Sequence, residues 1–228
     1  MATARRDRPN HPAHPMDTGR RADGATSCRA GLALTRPTHD VDMILHIQTG
    51  AVTFGNVRDD LEGLGYALLE PMGDGPVHRF ARGRTSTEAI DVMVPDRLPE
   101  GKRPKALRRL VFAVPGGTSA LMKTVICEVD AGVGVVTLSV PDVLGALVLK
   151  GAAYTADSRD RARHLDDAAV LACAVTDPVA DRERRIGSDR KRLRALWNEL
   201  QDVNHRSWIA TGTAARRGRA ALEVLAGD

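Results

Sequence analysis

The sequence predicts an α+β protein: a mixed β-sheet core with helices up to about residue 140, then a helical region over 141–228. Three observations predict it. Residues 41–46 alternate in polarity as a strand does, and several short apolar runs bounded by turn residues follow before Val140. Beyond Val140 the apolar spacing becomes helical, with Pro141 and Asp142 as start signals. Hydrophobic residues make up 43% and charged residues 27% of 228, so most of the chain can bury a core. With aromatics at only 3%, that core must be Leu, Val and Ala.

Residues 1–28 are rich in Arg, Pro, His and Gly and hold almost nothing to bury, so they read as a solvated or non-native segment. The sheet-forming part is expected over 29–140. In "VDMILHI", Val41, Met43 and Leu45 face one way and Asp42, Ile44 and His46 the other. Phe54, Val57, Leu61 and Leu64 then recur at helical spacing, which predicts a helix over about 51–64. "VHRFAR" (77–82) and "EAIDVMV" (88–94) read as a hairpin. "RRLVFAV" (108–114) reads as one strand closed by the turn "PGG", and 124–129 with 134–140 as a second hairpin. Helices are expected over 141–154, 159–175, 178–201 and 205–226, the first apolar nearly all round and therefore buried. No internal repeat is present.

The formal charge of +4 and pI of about 9.2 tilt toward a polyanionic partner such as RNA or nucleotide, although an Arg-rich coding bias would explain most of it. Cys28, Cys127 and Cys173 are far apart and show no metal-ligand spacing, which argues against a zinc site and for reduced thiols in a cytoplasmic protein. No apolar run approaches the ~20 residues of a membrane span, and the basic N-terminus has no apolar core of a signal peptide.

Asp40 and Asp42, in "RPTHDVDMIL", are two residues apart, and on a strand that spacing points both carboxylates to one face. Two adjacent acids repel unless a cation lies between them, and Mg²⁺ with its preference for hard oxygen ligands is the natural one. A lone Asp-x-Asp is common, and taken alone the pair is better read as a turn acid followed by a chance acid. Asp91 shifts that balance. It sits in "AIDVMV", with Ile90, Val92 and Val94 on the opposite face. If this strand lies beside 41–46, three carboxylates converge and can hold two metals, one activating a hydroxyl and one steadying a triphosphate's leaving oxygen. The alternative is an Asp91 that faces solvent from an ordinary strand.

"RPTHDVDMIL" resembles the R-x-T-x-D-h-D-h signature of nucleotidyltransferases of the AbiEii toxin type, in the polymerase-β-like superfamily, through Arg36, Thr38, Asp40, Val41, Asp42 and Met43. "IDVMV" is similar to that family's third-acid strand. The stretch 140–171 resembles its helical segment through Lys150, Arg163, Asp166 and Asp167. The resemblance spans roughly 31–175. It implies a nucleotidyltransferase-like core and a Mg²⁺-dependent transfer of a nucleotidyl group from an NTP to an acceptor, with tRNA or another RNA among the candidates. It implies metal binding by Asp40, Asp42 and Asp91 and phosphate binding by Lys150. Arg36 and Thr38 would shape the approach to the strand, with Asp166 and Asp167 orienting Lys150 or an arginine. A separately encoded antitoxin is the implied protein partner.

One family feature is missing. A Gly-Gly or Gly-Ser helix start, whose N–H groups would hold phosphates, should precede the strand. Here the nearest glycine is Gly24, with no apolar strand before it. A misassigned start, a decayed gene or phosphate binding from elsewhere would each explain this. Other readings stay open: an inactive remnant of the fold, a non-catalytic RNA- or partner-binding protein using the basic segments near 181–194 and 215–219, and a sugar-nucleotide transferase. Arg159 to His164 matches an RNase spacing that an Arg-rich chain produces by accident. "VPGG" at 114–117 reads as a turn, since no Gly-Lys-Ser/Thr follows.

Overall fold

The computed structural model describes residues 40–50, 52–83, 88–99 and 101–228, so Arg36, Thr38, Gly24 and the segment 1–28 lie outside the described residues. These residues form an α+β structure with nine strands and seven α-helices. Strand β1 (Asp40–Ile44) runs parallel to β4 (Ala89–Pro95), which pairs antiparallel with β3 (Arg79–Ala81); β3 in turn pairs with β2 (Ala67–Leu68). The order is β1-β4-β3-β2, with the short β7 (Ala113–Val114) joining the far end of β4 in parallel.

Helix α1 (Phe54–Gly63) begins where the Thr53 hydroxyl accepts from the Asn56 N–H at 3.1 Å, an N-cap that answers one of the orphan donors of the first turn. It buries Phe54 and Leu61 against the sheet, with the Phe54 and Phe80 rings 6.1 Å apart. Phe80 is opposite Ile90 in the ladder, so Phe80, Ile90, Val92 and Val94 share the face that α1 covers. Leu45, Val77, Ala106 and Val111 complete this first core.

The expected strand 108–114 is broken. Lys105–Ala106 (β5) and Arg109–Leu110 (β6) make a tiny hairpin through Leu107 and Arg108, both at positive φ (51° and 61°). Val111 then bridges to Val77 before β7 begins. The hairpin of β8 (Thr124–Asp130) and β9 (Val135–Pro141) forms over seven register pairs, with Val125, Cys127, Val129, Val136, Leu138 and Val140 on one face.

Helix α2 (Gly117–Leu121) follows β7 at once. A Cβ at Gly117 would sit 2.6 Å from Val114 Cγ1 and 3.2 Å from Pro95 Cα, so only glycine lets the helix start so close to the strands. Helix α3 (Val143–Ala156) is capped by Asp142, whose carboxylate accepts from the Gly145 N–H at 2.8 Å; Asp142 is thus the cap itself rather than a first-turn residue. Helix α4 is Arg161–Cys173. The helix expected over 178–201 is two, α5 (Pro178–Glu183) and α6 (Asp189–Leu200), because Gly187 takes φ +54° between them. A 3-10 stretch (Arg206–Ala214), anchored by the Trp208 indole N–H donating to the Leu200 carbonyl, leads into α7 (Ala215–Ala226).

Leu144, Leu147, Leu171, Leu193, Leu196, Leu200, Leu222 and Leu225 fill a second core among α3, α4, α6 and α7, all 2% exposed or less. Each such leucine contributes about 1.5–3 kcal/mol of transfer free energy, so this core is the main source of cohesion in the helical half. No helix of the described residues is long and apolar enough to cross a membrane. Cys127 and Cys173 are free thiols.

Candidate functional site

The ladder between β1 and β4 pairs Asp42 with Asp91 directly. Neighbouring parallel strands lie ~4.8 Å apart and paired residues point the same way, so these carboxylates are side by side on one face. Asp40, two residues before Asp42, points to that face too. It is the face opposite α1, because Ile90, Val92 and Val94, which alternate with Asp91 on β4, lie in the core that holds Phe54.

Asp91 faces neither solvent nor an empty space. Its side chain is 11% exposed, and Arg79, its partner in the β3–β4 ladder, donates from Nε to Oδ1 and from Nη2 to Oδ2, each at 2.8 Å. The same Nη2 lies 3.9 Å from Asp40 Oδ2. A two-pronged guanidinium–carboxylate pair is among the strongest side-chain interactions. The Asp91 hydrogen bond holds the Arg79 pKa well above its ordinary value against the opposing effect of burial, and the charges of Asp91, Asp40 and Asp42 add to it. Arg79 is the residue that sequence reasoning missed.

Beyond the C-terminal end of β4, Asp96 accepts from the Gly116 N–H at 2.9 Å and the Thr118 N–H at 3.1 Å, so it caps α2. Arg192 of α6 reaches the same carboxylate at 3.2 Å. The turn "VPGG" therefore leads straight into a helix start, whose Gly116 and Thr118 N–H groups are taken by Asp96.

No protein-family model, curated protein or solved structure matches the chain.

The other expected site residues form a second group, on the seam between α3 and α4. Lys150 Nζ is 2.9 Å from Asp167 Oδ2, with the two side chains 15% and 20% exposed. Asp166 accepts from the Ser207 hydroxyl at 2.6 Å and has Arg206 Nη2 at 3.6 Å. The neighbouring acids thus look to different partners: Asp167 to the lysine, Asp166 to the 3-10 stretch. His164 Nε2 lies 3.4 Å from Asp157, so the Arg159–His164 spacing serves the α3–α4 corner.

Several basic residues of the 181–194 segment are spent internally. Arg185 Nη1 donates to the carbonyls of Leu225 and Gly227, each at 2.8 Å, and Arg182 and Arg194 donate to those of Asp228 and Ala226. Cations at a helix C-terminus satisfy its orphan carbonyls and its negative dipole end.

A divalent cation would find the right kind of donor at Asp40, Asp42 and Asp91: hard carboxylate oxygens on one face of adjacent strands. Among the described residues no group of three or more His, Cys, Asp and Glu side chains is gathered closely enough to hold a metal ion as it stands. The cation present at Asp91 is the Arg79 guanidinium.

Proposed function

We propose that the chain is a Mg²⁺-dependent nucleotidyltransferase with a nucleotidyltransferase-like core, similar to AbiEii-type toxins. It transfers a nucleotidyl group from an NTP to an acceptor such as tRNA or another RNA. The observation that carries the reading is the β1–β4 register, which sets Asp42 beside Asp91 with Asp40 on the same face. A strand pair needs no such concentration of negative charge to be stable, and adjacent like charges oppose it.

Mg²⁺ at these acids supplies positive charge against a bound triphosphate. Asp40 and Asp42 would hold it, and Asp91 would share it and take the acceptor's proton. The acceptor oxygen bonds to the α-phosphorus, the bond to the bridging oxygen breaks, and pyrophosphate leaves with that electron pair. Lys150, released from Asp167, binds phosphate. A cognate antitoxin would be the protein partner of such an enzyme.

A second reading has its own observation. The two-pronged Arg79–Asp91 pair satisfies Asp91 without a metal, as an inactive remnant of the fold would. The non-catalytic RNA-binding reading loses ground because Arg182, Arg185 and Arg194 hold the end of α7.

Calorimetric titration with each NTP in Mg²⁺, on the protein and on Asp42→Ala, separates these. Binding that needs both Mg²⁺ and Asp42 supports the transferase. A well-folded protein that binds no NTP is the remnant.

A further inference from the structure

We infer that the β5–β6 hairpin, with the turn before it, is a docking surface for the phosphate backbone of RNA, which it takes through Lys102, Lys105 and Arg108. That the polyanion is RNA rests on the functional reading above. The surface itself is built from residues outside the acid cluster.

Five of the eight residues 102–109 are Lys or Arg, and none is acidic. The segment is fixed to the sheet. Ala106 is buried in the first core, Arg103 Nε donates to the Val111 carbonyl at 2.7 Å, and the Val77 N–H donates to the Leu110 carbonyl at 3.0 Å. Lys102, Lys105 and Arg108 are exposed, and their side chains make no hydrogen bond or ion pair among the described residues. Arg109 has only Asp74, a fully exposed acid at 3.3 Å, and such a pair neutralises little. Like charges crowded on a rigid support repel one another. Elsewhere the arginines have work within the fold: Arg182, Arg185 and Arg194 hold the end of α7, and Arg217 and Arg219 donate to the carbonyls of Cys173 and Gln201. Lys102, Lys105 and Arg108 have no such task. Arg108 also stands at the tip with φ of 61°, where glycine would relieve the backbone but lose the charge.

Phosphate oxygens are the chemistry these cations match. Lys102, Lys105 and Arg108 follow one another at three-residue intervals, at most ~10 Å each along the chain. A strand of a nucleic-acid duplex carries one phosphate per about 3.4 Å of axis, so each cation finds one. No aromatic residue lies within 102–109, so there is nothing for a base to stack on, and the contact is to the backbone whatever the sequence. A membrane is the poorer fit, because the charge of Arg108 is at the tip and only Leu107 and Leu110 are there to enter lipid. The hairpin also adjoins the acids. Leu110 is bonded to Val77, which lies two residues, roughly 7 Å, before Arg79. RNA on the hairpin is held beside the strand that pairs with Asp91.

The test is binding of a fluorescently labelled single-stranded RNA oligonucleotide, followed by anisotropy over about 0.05–0.2 M KCl. It compares the full chain with a hairpin triple (Lys102→Gln, Lys105→Gln, Arg108→Gln) and a control triple (Arg159→Gln, Lys191→Gln, Arg216→Gln), which removes the same charge from exposed positions elsewhere. The hairpin triple should bind about a hundred-fold less well at ~0.1 M salt, and its slope of log affinity against log salt should shrink by about 2. The control triple should stay within about three-fold of wild type. Equal losses in the two triples, or no RNA binding by the wild type at the lowest salt, overturn the inference. So does binding to phosphatidylserine vesicles that the hairpin triple loses while its RNA binding is unchanged. If the hairpin triple does not fold, Lys102→Gln and Lys105→Gln singly decide, each expected to lower the slope by about 0.7 and an unchanged slope overturning the inference. Calorimetry of the wild type with Mg²⁺ and NTP separates the two readings. Hairpin-dependent RNA binding without NTP binding removes the transferase and keeps the surface; NTP binding with equal losses in the two triples does the reverse.

Discussion

Lys123 Nζ lies 3.0 Å from Asp189 Oδ2, and the two side chains are 3% and 0% exposed. The Ser119 hydroxyl donates to the same Asp189 oxygen at 2.7 Å and accepts from Lys123 at 2.7 Å, while the Ile186 N–H adds a fourth bond at 2.9 Å. Lys123 and Ser119 belong to α2 and its end, beside the sheet; Asp189 opens α6 in the helical half. A charge pair sealed from water thus fastens the two halves.

Removing one partner of such a pair leaves the other charged and buried. Lys123→Ala should therefore cost about 3–5 kcal/mol in urea unfolding, whereas Lys123→Met combined with Asp189→Leu should recover most of that loss. A cost below 1 kcal/mol for the single variant would mean that water reaches the pair.

Asp96 makes stability depend on acid. Burial alone would raise its pKa, but the N–H donors of Gly116 and Thr118, the Thr118 hydroxyl and Arg192 outweigh burial and lower it. A carboxylate whose folded pKa lies below its unfolded value of ~3.9 stabilises the fold above that value and loses the effect as pH falls through the folded pKa. Unfolding of Asp96→Asn should be easier than that of the wild type at pH 6, and the two should converge near pH 2. Parallel curves over that range would show that Asp96 stays protonated or ionised alike in both states.

Leu107 and Arg108 turn the β5–β6 hairpin with φ of 51° and 61°, a conformation that suits Asn-Gly. Non-glycine residues there carry backbone strain of roughly 1 kcal/mol each. Both residues are exposed, so Leu107→Asn with Arg108→Gly should raise stability by about 1 kcal/mol without touching the core. A drop in stability would mean that Leu107, half out of water, packs against something that the strain sustains.

The acids were legible in the sequence because a strand repeats every two residues: Asp40 and Asp42 must share a face, and Asp91 must oppose Ile90, Val92 and Val94 whatever the fold. Arg79 was not, although "VHRFAR" and "EAIDVMV" read as a hairpin. Its place opposite Asp91 depends on the ladder register, and a shift of one residue would have turned it to the α1 face. Lys123 and Asp189 carried no local signal, since their pairing comes from the packing of α2 against the helical half. The break between α5 and α6 was written in Gly187, but the apolar spacing on either side masked it. The broken strand at 108–114 came from two positive-φ residues that no propensity would place there.

Lys150 allows its structural and ligand roles to be separated. In the structure it pairs with Asp167 at 2.9 Å in a part-buried seam, so Lys150→Ala removes a partner from a carboxylate as well as a cation from the protein. The fold should survive with a loss of about 1–3 kcal/mol, the order of one hydrogen bond to a charged group. Adding Asp167→Ala removes the carboxylate that has lost its lysine and should restore part of that stability. If Lys150 binds phosphate, the double variant still lacks the ammonium, and NTP affinity in Mg²⁺ should stay about ten-fold or more below wild type. Affinity that returns with stability would make Lys150 a helix-to-helix tie and nothing more.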